Sequence, residues 1–67
     1  MSELIKKRVN DSLGKIVLVF LKNNFRFEGK LTNTDDEFFE ILDFKSNSFK
    51  LIRFDEIKEM EVRDGKN

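Results

Sequence analysis

Few groups in this chain could do chemistry, and the densest run of them is Asp35-Asp36-Glu37. Three adjacent carboxylates could hold Mg²⁺ or Ca²⁺, because hard cations take oxygen ligands. The run lacks the alternating ligand spacing of a calcium loop and reads instead as a solvated turn. The chain has no His and no Cys, so the usual transition-metal ligands are missing and no disulfide can form. Nor is there a glycine-rich phosphate loop. The expectation is a non-enzymatic protein, with no catalytic residues, no metal and no cofactor.

Sixty-seven residues make one domain, residues 1–67. A chain of this length buries only about 60% of the surface that its unfolded form exposes. Small scaffolds therefore need a staple, and without Cys or His the one left is association with other copies. The absence of Cys fits a reducing compartment. The amino terminus carries Lys6, Lys7 and Arg8 after only two apolar residues, so neither a signal peptide nor a membrane span is expected, and the chain is placed in the cytoplasm. Thirteen basic and thirteen acidic residues cancel. Their distribution is uneven: residues 1–31 carry seven cations against three carboxylates, a net of +4, and the remainder carries −4. A whole-protein basic footprint for nucleic acid is missing, so any polyanion site must be local.

The elements that must position these groups follow from periodicity. Ser2 can cap a short helix over about residues 3–11, whose apolar stripe is Leu4, Ile5, Val9 and Leu13. Ile16–Leu21 is apolar on both faces and reads as a buried strand. Lys22-Asn23-Asn24-Phe25 reads as a hairpin turn, since Asn tolerates left-handed backbone. Phe25, Phe27, Gly29 and Leu31 then alternate with Arg26, Glu28 and Lys30, which gives a period-two strand with Gly29 on its inward face. A glycine there implies a sharp bend or close backbone approach. After a polar turn over 32–36, a third strand spans 38–44 with Phe38, Leu42 and Phe44 on its core face. A turn at 45–48, a fourth strand at 49–54, a corner at Asp55-Glu56 and a fifth strand at 57–62 complete the pattern, with a frayed tail at 63–67. The expected class is mainly all-β: an amino-terminal helix and a five-stranded antiparallel barrel of the SH3-like or oligonucleotide-binding size, over about residues 15–62.

Several of these residues resemble the Sm/LSm family, especially its small archaeal members. The first motif of that family is similar to Val17, Val19, Leu21 and Lys22, then Phe27, Gly29, Leu31, Asp35, Phe38 and Leu42. The second resembles Ile52-Arg53, Asp55, Ile57 and Met60. The related Hfq branch fits less well, because its second motif depends on a histidine. The resemblance covers about residues 4–62. It implies an Sm-like fold, a strongly bent SH3-like barrel with the helix on top. It also implies homo-oligomeric rings of six or seven subunits, in which the fourth strand of one subunit pairs with the fifth of the next. Leu51, Ile52, Ile57, Lys58 and Met60 then fall at the subunit interface.

In that family single-stranded RNA binds in two loops around the pore. The resemblance assigns the base-stacking position to Glu37, two residues after Asp35, and the base-reading position to Phe39. It assigns the second loop to Arg53-Phe54, where Arg53 alone matches. A carboxylate cannot stack, and Phe39 cannot hydrogen-bond a uracil edge, so selectivity for uridine loses its basis. Phe39 and Phe54 could instead offer flat faces to any base, or they could pack together and bind nothing. Arg53 could stack on a base or pair with phosphate. Asp35 reads as the residue that fixes its turn through backbone NH groups. Two functions follow. One is a ribonucleoprotein ring that binds single-stranded RNA with weak or altered base preference. The other is an oligomeric scaffold or protein-interaction module that has lost RNA binding.

Overall fold

A computed structural model describes residues 3–63. The protein is mainly β: helix α1 (Glu3–Asp11) precedes β1 (Ile16–Leu21), β2 (Arg26–Thr34), β3 (Phe38–Asp43), β4 (Ser48–Arg53) and β5 (Ile57–Arg63), with the 3-10 turn η1 (Phe54–Glu56) between the last two. All strand pairs are antiparallel, and the sheet order is β4-β3-β2-β1-β5, which leaves β4 and β5 as its two margins. No helix among the described residues is long and apolar enough to cross a membrane.

Alternating side chains of β1 and β2 supply four of the ten buried apolar residues of the core. Val17, Val19 and Leu21 point inward from β1, and Leu31 from β2, to meet Ile41, Ile52, Phe54 and Ile57. Gly29 shares this inward row and pairs with Val17 on one side and Asp43 on the other. A Cβ there would overlap the Leu42 carbonyl oxygen, with the Leu42 carbonyl carbon at 2.7 Å and Asp43 Cα at 3.1 Å. The backbones of β2 and β3 thus approach more closely than any side chain would permit. Just beyond, Leu31 pairs with Ile41 and Asn33 with Glu40, so Thr32 is the extra residue of a bulge. Its hydroxyl donates to the Glu40 carboxylate at 2.8 Å. A second bulge lies in β5, where Phe20 faces Glu59 but Leu21 faces Ile57, leaving Lys58 unpaired.

The turns have local causes. Asn24 (φ 74°) and Asn47 (φ 56°) hold the left-handed positions of the β1–β2 and β3–β4 connections. Gly14 (φ 85°) carries the chain out of the helical segment, and its NH donates to the Leu31 carbonyl at 2.8 Å. The buried Ser12 hydroxyl donates back to the Arg8 carbonyl at 2.8 Å.

Several expectations need correction. The core face of β3 is Phe39, Ile41 and Asp43, not Phe38, Leu42 and Phe44; Phe44 is 48% exposed. Pairing decides this, because Phe39 stands opposite the inward Ile52. Asp43 tolerates its burial because its carboxylate accepts from Ser46 Oγ at 2.7 Å and Ser46 N at 3.2 Å. Phe25 precedes β2 and is exposed, and β2 extends to Thr34, so the expected turn over 32–36 is shorter. Phe54 belongs to η1 rather than to β4. Of the helical stripe, Val9 is buried and Ile5 packs on the core, but Leu4 and Leu13 are exposed. Ser2 and residues 64–67 of the expected tail lie outside the described residues.

Two glycines separate crowding from backbone strain. Gly29→Ala should cost about 3 kcal/mol or more, a size reserved for steric conflict in a core. Gly14→Ala, where nothing lies within 4 Å of the added atom, should cost about 1–2 kcal/mol from its positive φ alone. Urea unfolding of both variants checks the difference, and equal losses would mean that β2 and β3 separate freely.

Candidate nucleic-acid interface

Two connections converge at one end of the sheet. The β2–β3 loop carries Asp35, Asp36 and Glu37, and the β4–η1 junction carries Arg53, Phe54 and Asp55. Phe54 NH donates to the Glu37 carbonyl at 3.0 Å, and Phe38 pairs with Arg53 across β3 and β4. The two segments are therefore held together by main chain.

Asp35 builds the first segment. Its Oδ1 accepts from the backbone NH groups of Glu37 and Phe38, each at 2.9 Å, while its own NH donates to the Phe38 carbonyl at 2.9 Å. The Phe38 bond, then the Glu37 bond, holds the carboxyl below its ordinary 3.8, with a smaller contribution from Lys6 on α1. The carboxylate is committed to the turn. Among the described residues no group of three His, Cys, Asp or Glu side chains is arranged to hold a metal ion.

Arg53 builds the second segment. Its Nε and Nη2 donate to Asp55 Oδ1 and Oδ2 at 3.2 and 3.0 Å, a two-pronged pair with both side chains at least half exposed. That hydrogen bond, followed by the charges of Asp55, Glu37 and Glu56, holds the guanidinium still more firmly protonated. The Arg53 Cζ lies 5.7 Å from the Phe38 ring centroid. An exposed ion pair of this kind is weak, so an incoming phosphate can compete with Asp55 for Arg53.

The aromatic residues divide differently from the sequence-based expectation. Phe39 and Phe54 are 1% and 4% exposed, with ring centroids 5.4 Å apart. They pack against each other in the core, and neither presents a face to a base. Phe38 is half-buried and lies under Arg53, so it is the aromatic residue at this corner that remains within reach. Only the strand register, which places Phe38 opposite Arg53, could have pointed to it. Glu37 is exposed on the loop. Thr34, also unmarked by the sequence, has a covered hydroxyl oxygen with no hydrogen-bond partner among the described residues. It lines a shallow depression of about 220 Å³ with Asn33, Asp35 and Phe38.

The residues expected at an interface also separate. Leu51 is 68% exposed on β4, Lys58 is exposed at the β5 bulge, and Met60 is half-buried. Ile52 and Ile57 send their side chains into the core of their own protomer.

The depressed Asp35 carboxyl has a pH signature. Its ionised form contributes stability that is fully present above 3.8 and fades as pH falls through the lower folded value. Asp35→Asn should be less stable than the native chain at pH 7 and lose less on acidification from about pH 4 to 2. Urea midpoints across that range provide the measurement, and parallel curves would mean that Asp35 does not couple to folding.

No family model matches the chain, and no curated protein or solved structure matches it.

Proposed function

We propose that the chain is a non-enzymatic subunit of an Sm-like ring that binds single-stranded RNA with weak or altered base preference. Its five strands curl at Gly29 into a bent SH3-like barrel. The observation that carries this reading is the corner where Arg53, lying over Phe38, is tied through Phe54 NH to the β2–β3 loop. A planar cation against an aromatic ring is suited to stacking on a base or pairing with phosphate. Phe39, at the position that reads the base edge in the family resembled, is internal, and Glu37, at the stacking position, has no ring. Both features predict weak selectivity.

Ring closure fits the margins of the sheet. Among the described residues strands β4 and β5 each have a single partner, and an unpaired margin accepts a further strand. The outward row of β4 ends in Arg53, whereas β5 presents Glu59 and Glu61, so head-to-tail pairing joins unlike charges. A head-to-tail contact that repeats by rotation closes on itself, here as a hexamer or heptamer. A scaffold ring without RNA is the second reading. It is favoured by the Asp55 carboxylate already seated on Arg53 and by the burial of Phe39 and Phe54.

Titration of oligo-U and oligo-A at low salt decides between them. Binding of both with similar affinity is expected, weakened at least tenfold by Arg53→Ala and strengthened severalfold by Asp55→Asn, which releases the guanidinium. Binding of neither strand would leave the scaffold reading. Light scattering on a sizing column should give six or seven times the 8.0 kDa protomer mass, and a monomer would remove the ring.

A further inference from the structure

A second concavity among the described residues lies away from Arg53, around the start of β2. It is a groove of about 600 Å³ whose lining includes Arg26 at the start of β2, Lys45 in the β3–β4 turn and Arg63 at the end of β5. No residue that lines this groove lines the depression beside Thr34 or belongs to the Arg53 corner, so the two are different surfaces.

Its charges are not balanced. Glu28 pairs with Arg63 at 3.7 Å, and the Asp43 carboxylate is turned onto Ser46. Both carboxylates of the groove are therefore engaged. Arg26 and Lys45 take part in no ion pair among the described residues. Phe44, held by its NH on the Glu28 carbonyl at 3.0 Å and 48% exposed, lines the same groove, as do the half-buried Phe27 and Leu18.

We infer that this groove is a binding site for a nucleoside phosphate, with the base against Phe44 and the phosphate between Arg26 and Lys45. Two uncommitted cations beside an exposed ring match an anion attached to a flat apolar group better than either part alone. The volume falls within the range of small-ligand sites. The ligand chemistry has two sources, a free mononucleotide or one nucleotide of a longer strand. The site uses none of the residues at the Arg53 corner and does not require a ring.

Amide NMR of the native protein during titration with AMP, a six-nucleotide oligo-A and inorganic phosphate tests the assignment. The expected result is saturable shifts at Arg26, Phe44 and Lys45 with AMP, weakened at least tenfold by Phe44→Leu and by Lys45→Glu but not by Lys22→Gln. Saturation by AMP identifies a free nucleotide as sufficient. Saturation of the same amides by the oligonucleotide alone identifies a strand as the source. The substituted side chains are exposed, and the spectra themselves report whether each variant is folded. Three results would overturn the site: no shifts at these amides with either nucleotide, inorganic phosphate binding as tightly as AMP, or affinities unchanged in Phe44→Leu and Lys45→Glu.

Discussion

Contact between the backbones of β2 and β3 at Gly29 is the constraint on which the rest of the molecule depends. The Leu42 carbonyl occupies the space where any other residue would carry a Cβ. Gly29 also pairs with Val17, so the close approach sits next to the inward row of β1. The consequences run outward along β2. Leu31 stays in the core, the bulge at Thr32 shifts the register, and β3 presents Phe39 and Ile41 inward. A domain of this size has few buried side chains to spare, and ten apolar residues form most of its core. Main-chain geometry at one residue therefore decides where much of the available apolar surface goes.

The same register decides which groups remain outside for chemistry. Because Phe39 faces inward to meet Phe54, its neighbour Phe38 is left beside Arg53. Because Asp35 spends its carboxylate on two backbone NH groups, the acidic run of the loop is partly consumed by structure. What remains exposed is a mixture of one guanidinium, its Asp55 partner and the carboxylates of Asp36, Glu37 and Glu56. On the RNA-binding reading proposed above, a polyanion has to displace an internal acid here, which is the opposite of a broadly basic nucleic-acid face.

The helix and the five strands were legible because their cues are local. Period-two alternation marks β2, Asn marks both left-handed turns, and an inward glycine marks the close approach. The face of β3 was not legible. Phe38-Phe39 and Ile41-Leu42 are adjacent apolar pairs, so alternation permits either face, and Asp43 argues for the wrong one until its bond to Ser46 is seen. Of the candidate site, the position of Arg53 on the corner was within reach of sequence reasoning. The Asp55 clamp on it, the role of Phe38 and the covered Thr34 hydroxyl depend on cross-strand register and on side-chain reach, which no single segment encodes.

The two margins of the sheet are unlike in a further respect. The extra residue in β5 is a lysine, and a bulge with a cation on an outer strand restricts pairing there to a strand whose register accommodates it. No register shift interrupts the pairing of β4 with β3, and β4 displays Phe49 and Leu51 to solvent. One side of the molecule thus discriminates against indiscriminate β-addition while the other invites it. If the protein misassembles when concentrated or partly unfolded, the process should nucleate at the β4 flank, and a charge placed at Leu51 would be the economical safeguard for keeping the purified chain in solution.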